Sequence, residues 1–238
     1  MKLDDSEGEI VIKRVYFLHG FMGTGETHFS NQVSSLGDGY EAILIDLPGH
    51  GNSPVEASDN YFEDALKYVI SQMKQEGEVF LVGLSLGASL AIHIALREPE
   101  LVKGIVLTGY SPYIPEELIS VMEKQYEFFL NIEENDKETA EYFMSLHGDK
   151  WHKTLKKVLY QMTYKYPSAT PEEIKSIRVP MLILNGSNEM HEVEAAAYMK
   201  KLNNDIRVGL VPDTGHTVNI EEPAIYNKIL TTFLEANL

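Results

Sequence analysis

The sequence contains no cysteine among its 238 residues. This absence excludes a disulfide framework, a thiolate nucleophile and a metal site built on thiolates. Basic residues are also scarce, because 20 Lys and Arg stand against 36 Asp and Glu and the formal net charge is −16. Nucleic acids and anionic membrane surfaces are bound through clustered Lys and Arg, so we expect neither as a partner.

Long apolar runs are missing as well. No run approaches the roughly 18 apolar residues that a membrane-spanning helix needs. The acidic segment Met1–Glu7 lacks the apolar core of a secretory signal peptide. We therefore expect a cytoplasmic protein without a membrane span, long enough for one large domain or for one domain with an insertion.

A turn between a predicted strand and a predicted helix carries the strongest signal in the chain. Val79–Val82 are apolar and partly β-branched, which predicts a buried strand, and helix-forming residues follow the turn. Ser85 lies between Gly83 and Gly87 in the pattern Gly-x-Ser-x-Gly. Glycines suit a place where a strand and a helix pass too close for side chains. The pattern predicts a nucleophile elbow, with the hydroxyl of Ser85 lifted out of the sheet edge.

The rest of the chain alternates between strand and helix patterns. Residues 9–18 predict a first strand or a strand pair, and later strands are predicted at 42–45, 104–108, 181–185 and 206–211. Helices are predicted at 61–76, 193–202 and 223–238. This alternation predicts an α/β fold with a mostly parallel central sheet covered by helices on both faces.

One segment breaks this alternation. Residues 111–166 have helical patterns at 115–131, 137–146 and 151–164 and no convincing strand. We interpret this segment as a helical cap inserted into a core made of residues 1–110 and 167–238. Several aromatic residues of the cap are expected to pack within it, and a few of them to line a pocket above Ser85; they include Tyr113, Phe128, Phe129, Trp151 and Tyr160.

Five motifs occur in the order typical of one large family. They are His19–Gly20–Phe21, the loop Asp46–Ser53, Gly83–Gly87, Gly186–Glu189 and Gly215–His216 with Glu221 and Pro223 after it. On these motifs the chain resembles the α/β-hydrolase fold family over nearly its whole length. Within that family it is similar to small capped esterases, lipases and C–C hydrolases. The resemblance implies a triad in the chain order serine, acid, histidine.

The chemistry of such a site requires particular residue types. A serine hydroxyl needs a base to take its proton, and His216 is the expected base. The resemblance places the acid at Glu189, where the family usually has aspartate, while Glu192, Glu194 and Asp213 remain alternatives. The expected oxyanion donors are two backbone N–H groups, those of Phe21 and Leu86.

The other histidines are assigned structural or surface roles. His19 and His50 are expected to shape their loops, and His93 to pack within its helix. The histidines expected at the surface are His28, His147, His152 and His191. His191, Glu192 and Glu194 are interpreted as a solvated helix start, and basic residues at 150–157 as a solvated helix face. No pair has the spacing of a zinc-binding helix, so we expect no metal and no cofactor.

These observations favour a serine hydrolase that acts on carboxylic esters with small to medium apolar acyl or aryl groups. Two alternatives stay open. The same triad also supports C–C bond hydrolysis or a lyase reaction, and some members of such a fold serve as regulatory small-molecule-binding modules. The expected partner is a small-molecule ester, and the expected state is a monomer or a homodimer.

Overall fold

The computed structural model describes residues 12–238. Its centre is one six-stranded sheet in the order β2-β1-β3-β4-β5-β6, and all neighbouring strands are parallel. The strands are β1 (Lys13–Leu18), β2 (Tyr40–Ile45), β3 (Val79–Leu84), β4 (Val102–Thr108), β5 (Met181–Gly186) and β6 (Arg207–Val211). The predicted parallel sheet is therefore confirmed, while residues 9–11 of the first predicted strand lie outside the described residues.

Helices cover both faces of this sheet. The helices of the core are α1 (Gly25–Val33), α2 (Tyr61–Met73), α3 (Leu86–Arg97), α8 (Pro171–Ser176), α9 (Met190–Leu202), α10 (Val218–Glu221) and α11 (Pro223–Glu235). Between β4 and β5 the chain forms four more helices, α4 (Glu116–Leu130), α5 (Ile132–Asn135), α6 (Lys137–His147) and α7 (Trp151–Tyr164). Within residues 12–238, no helix is both long and apolar enough to cross a bilayer.

The central strand β3 is fully buried and contributes side chains to both faces of the sheet. Leu81 packs in one apolar cluster with α2 and α3, whereas Phe80 and Val82 pack in a second cluster with α11. Successive side chains of a strand point to opposite faces, so a strand covered on both sides must be apolar throughout. The two clusters fix the carboxyl end of β3, where Ser85 follows.

The cap segment, residues 111–166, has two differently anchored helices. Val158 of α7 belongs to the main core cluster, and Trp151 and Leu155 pack with Met22 in a third cluster. Helix α4, in contrast, has no fully buried residue. Of these two helices, α7 is the one that packs firmly against the core.

The basic residues of α7 and the turn before it lie at the surface, with Lys153 and Lys156 exposed as expected, but three of the basic residues at 150–157 also contact the core. Lys150 donates a hydrogen bond to the carbonyl of Ser53, 3.0 Å away. Lys153 and Lys157 form ion pairs with Glu56 and Asp59. These contacts join the cap segment to the loop before α2.

Two helices differ from the predictions. Residues 25–33 form α1, a helix for which the sequence analysis made no prediction. The N–H of Thr27 donates to the hydroxyl of Thr24 at 3.1 Å, and this N-cap begins the helix. Helix α9 begins at Met190 and not at Val193. The earlier start places His191 and Glu192 in the first helical turn.

Candidate active site

Ser85 follows β3 directly and precedes α3, in a backbone conformation that is rare for a side chain other than glycine. Its φ is 55° and its ψ is −111°. A Cβ on Gly83 would overlap the backbone of Gly87, and a Cβ on Gly87 would overlap the carbonyl of Leu18. The two glycines are therefore required by close approach, and the surrounding structure holds Ser85 in a strained turn.

His216 forms a short hydrogen bond with a carboxylate. Its Nδ1 lies 2.5 Å from Oε1 of Glu192. The side chain of Glu192 is only 1% exposed, whereas that of His216 is 45% exposed because it faces a cavity. The ring of His216 also lies against the end of β4, since a Cβ on Gly109 would come within 2.8 Å of its Nδ1 and Cε1.

The sequence analysis placed the acid at Glu189, and the structure does not bring that residue to the histidine. Glu189 stands at the N-cap position of α9, and its carboxylate lies 3.8 Å from Nδ1 of His191. Glu192 is one helical turn later, on the side of α9 that faces the core. The expectation of a solvated helix start is wrong for Glu192 for the same reason. The sequence predicted that α9 begins at Val193, three residues later than it does, and with that start Glu192 does not fall on the face of the helix that points to His216.

The environment of His216 changes its pKa. Burial by itself would lower the pKa, because a charged imidazole loses solvation. The hydrogen bond and the charge of Glu192, helped by the charges of Glu189 and Glu221, outweigh that effect and raise the pKa above its usual value. The arrangement stabilises the imidazolium form that a general base acquires when it takes a proton.

A third carboxylate holds the loop that carries His216. Glu221 accepts hydrogen bonds from the N–H of Gly215 at 2.8 Å, and from the N–H and the hydroxyl of Thr217 at 3.2 and 2.8 Å. These bonds lower the pKa of Glu221. This role of Glu221 was not predicted from the sequence. Its position five residues after His216 is the feature of the sequence that could have indicated it.

The two residues whose backbone N–H groups were expected to be oxyanion donors, Phe21 and Leu86, line the same cavity as Ser85. Leu86 is the first residue of α3, so its N–H has no partner within the helix. Phe21 follows β1, and no hydrogen bond in the described part of the chain takes up its N–H. Gly20 is close to Ser85, because a Cβ built on it would lie 3.3 Å from Cβ of that residue. Both N–H groups therefore belong to the immediate surroundings of Ser85.

A cavity of about 510 Å³ opens above these groups. Its lining includes Ser85, His216, Phe21 and Leu86, together with Glu189, His191 and Glu192. Helix α4 contributes Leu118, Val121, Met122 and Phe129 to the apolar wall, more apolar residues than any other single helix. No Lys or Arg lines this cavity among residues 12–238.

Of the five aromatic cap residues singled out in the sequence, one lines the cavity. Phe129 does so, and its ring packs edge-on against Phe21 with 5.2 Å between centroids. Trp151 is buried in the cluster with Met22 and Leu155. The other three, Tyr113, Phe128 and Tyr160, are exposed.

The remaining histidines divide into two groups. His19 and His50 are fully buried in their loops, as expected, and His93 is buried on α3. His147 is also buried, at 2% exposure, so its predicted surface position is wrong. His28 is half-buried and accepts a hydrogen bond from Gly20, which also differs from the expectation. Over residues 12–238, no group of three or more His, Asp or Glu side chains is arranged to hold a metal ion.

Several known proteins are similar to this chain. A pimeloyl-[acyl-carrier protein] methyl ester esterase from Nitrosospira multiformis is 28% identical and covers 79% of this chain and 82% of its own. A 2-(acetamidomethylene)succinate hydrolase from Mesorhizobium japonicum is 25% identical, over 92% of this chain and 87% of its own. The chloroplastic protein PHYLLO from Arabidopsis thaliana is 25% identical over 97% of this chain, which spans only 16% of that much longer protein.

Solved structures and a family profile agree with this similarity. The crystal structure of NosK from Streptomyces actuosus superimposes with a TM-score of 0.87 at 30% identity, covering 95% of this chain and 99% of NosK. The profile described as the alpha/beta hydrolase family matches residues 15–229, which is most of the chain. The chain therefore belongs to the alpha/beta hydrolase family.

Proposed function

We propose that the protein is a serine hydrolase that cleaves carboxylic esters with small to medium apolar acyl or aryl groups. Ser85 is the nucleophile, His216 the general base and Glu192 the acid that orients it. The observation that carries this proposal is the 2.5 Å bond between Glu192 and His216 at the wall of the cavity that Ser85 also lines.

The proposed reaction has two stages. His216 takes the hydroxyl proton of Ser85 while the serine oxygen attacks the ester carbonyl, and the N–H groups of Phe21 and Leu86 donate to the oxyanion that forms. The imidazolium returns the proton to the departing alcohol, which leaves an acyl group on Ser85. A water molecule, deprotonated by His216, then attacks that acyl group, and the serine leaves with the proton.

The lining of the cavity supports an uncharged substrate. A carboxylate carried into this cavity would meet Glu189 and Glu192 and no Lys or Arg side chain. Burying a charged group without a partner of opposite charge costs binding free energy. A dicarboxylate of the kind named for the Mesorhizobium hydrolase therefore fits poorly, whereas the apolar wall from α4 suits an acyl chain or an aryl ring. The lining disfavours charged substrates whichever bond is cleaved, so C–C bond hydrolysis of a neutral substrate is the second candidate.

A panel of p-nitrophenyl esters tests the proposal. Each added methylene that enters an apolar wall contributes about 0.8 kcal/mol, so kcat/KM is expected to rise up to about fourfold per methylene until the cavity is full. Ser85→Ala is expected to lower kcat by about 10⁴-fold or more.

Ser89→Ala is the matched control, because Ser89 lies one turn further along α3 and is fully buried. A fluorophosphonate is expected to label Ser85 and to leave Ser89 unmodified. Labelling elsewhere would remove the assignment of the nucleophile. Labelling of Ser85 without ester turnover would favour the C–C hydrolase, and tight ligand binding without labelling or turnover would favour a binding module. The cytoplasmic location and the monomeric or homodimeric state stay predictions.

A further inference from the structure

The loop that carries the N–H of Phe21 is held by three histidine side chains. His19 donates from Nδ1 to the carbonyl of Gly20 at 2.8 Å, and that carbonyl belongs to the same peptide group as the N–H of Phe21. The N–H of Gly20 donates to Nδ1 of His28 at 3.1 Å. On the other side of Phe21, Nε2 of His147 donates to the carbonyl of Met22 at 3.1 Å.

The protonation of each ring follows from its partners. A backbone N–H can only donate, so the nitrogen that receives it carries no proton. Leu47 donates its N–H to Nε2 of His19 at 3.0 Å, and Gly51 donates to Nδ1 of His147 at 2.9 Å. In His19 and His147 the other ring nitrogen therefore holds the proton and donates to the loop.

The backbone of the loop requires this support. Met22 has a φ of 48°, which is uncommon for a residue other than glycine, and its side chain is 2% exposed. Such a conformation persists only where the surrounding structure determines it. Met22 packs there with Trp151 and Leu155 of α7.

His147 differs from the other two histidines because it ends α6 and belongs to the cap segment. We propose that His147 is a positioning residue, which holds the Phe21 loop in its oxyanion-binding conformation and makes the cap segment part of the oxyanion site. This inference rests on the proposed function, since it concerns the oxyanion of the ester reaction. It assigns the cap segment a role in catalysis besides forming the cavity wall.

Two conservative substitutions separate this role from a structural one. The amide nitrogen of Gln occupies about the place of Nε2, so His147→Gln keeps a donor to Met22 and loses the acceptor for Gly51. The amide oxygen of Asn occupies about the place of Nδ1, so His147→Asn keeps the acceptor and loses the donor. We expect His147→Asn to lower kcat by at least about tenfold with KM within about twofold, since a lost oxyanion donor costs about 10²–10³-fold and a displaced one costs less. We expect His147→Gln to restore most of kcat.

Thr154→Val is the control for the anchoring of the cap segment. The hydroxyl of Thr154 donates to the carbonyl of Gly49 at 2.9 Å, a buried contact between cap segment and core that does not involve the Phe21 loop. This variant is expected to lose thermal stability and keep kcat. Equal losses of kcat in the Asn, Gln and Val variants, or no loss in the Asn variant, would overturn the inference.

The amide resonance of Phe21 in a ¹⁵N–¹H spectrum gives a readout that needs no substrate. We expect it to shift in His147→Asn and to stay near its wild-type position in His147→Gln and Thr154→Val. An unchanged resonance in His147→Asn would overturn the inference even if all variants fold. If wild-type protein turned over no ester while this pattern of shifts held, the proposed function would fail and the positioning of the loop by His147 would stand.

Discussion

Glu192 follows β5 and His216 follows β6, and their side chains meet through a 2.5 Å contact although the two residues are 24 positions apart in the chain. β5 and β6 pair in register up to Gly186 and Val211, so the loops that follow the two strands start side by side. Parallel pairing thus brings the proposed acid and the proposed base together at the carboxyl end of the sheet.

The first prediction concerns the identity of the acid. Glu192→Gln is expected to lower kcat by about 10³–10⁴-fold, because the buried amide favours the wrong tautomer of His216. Glu189→Gln is the matched control and is expected to stay within about tenfold of wild type, since Glu189 lies 41% exposed beside His191. Steady-state kinetics on one ester measure both. A larger loss in the Glu189 variant would restore the assignment made from the sequence.

The second prediction concerns the pH dependence of kcat/KM. The base must be neutral to accept the proton of Ser85, so activity is lost as the pH falls through the pKa of His216. Because Glu192 raises that pKa, the acidic limb of the wild-type profile is expected above pH 6.5.

In Glu192→Gln the burial of His216 remains and the charge of Glu192 is gone, so the limb of the residual activity is expected to move to lower pH. Profiles of kcat/KM between pH 5 and 9 test this. A wild-type limb below 6.5, or a limb that stays in place in the variant, would contradict it.

The third prediction concerns stability in acid. Burial lowers the pKa of His19 to about 3 and that of His28 to about 4. Between these values and 6.5 the unfolded chain binds protons that the native state does not, so the free energy of unfolding falls as the pH falls. At pH 5 each histidine costs about 2 kcal/mol relative to neutral pH. The raised pKa of His216 acts in the other direction and above pH 6.5, so it does not mask this loss.

Urea unfolding at pH 7 and pH 5 measures that loss. His28→Asn is the informative variant, because Asn still offers an acceptor to the N–H of Gly20 and does not titrate. It is expected to recover about 2 kcal/mol of the loss at pH 5. The prediction is wrong if wild type and variant respond equally to acid.

The fourth prediction concerns the wall of the cavity. Met122 of α4 lines the cavity, whereas Ile119 lies on the same helix, is 48% exposed and does not. Met122→Trp is expected to move the preferred acyl length to shorter esters, because the larger side chain fills part of the cavity. Ile119→Trp is expected to leave the chain-length profile unchanged. An equal change in both variants would mean that α4 acts through its stability and not through the wall.

Much of the fold followed from local patterns in the sequence. The turn at Ser85 was predictable because close packing permits only glycine at positions 83 and 87, and the two glycines are visible in the sequence on either side of the serine. The start of α9 left a weaker signature, since Glu189, His191 and Glu192 are all polar. Which of these polar residues faces the core depends on where the first turn begins, and that is decided by contact with the loop of His216.

His147 illustrates a second limit. Its contacts with Met22 and Gly51 join residues about a hundred positions apart, across a cap segment whose packing no periodicity specifies. The apolar pattern predicted the helix that carries His147. It could not predict that the polar last residue of that helix turns inward, because partners for both ring nitrogens come from distant loops.

Gly109 has a consequence for how this site could change over time. Its φ is 58°, and a side chain there would collide with the ring of His216. A carboxylate therefore cannot be introduced at Gly109 by one substitution without displacing the base that it would serve. Relocation of the proposed acid to residue 109 would therefore require prior movement of the histidine loop. This overlap is a steric barrier that favours an acid placed after β5.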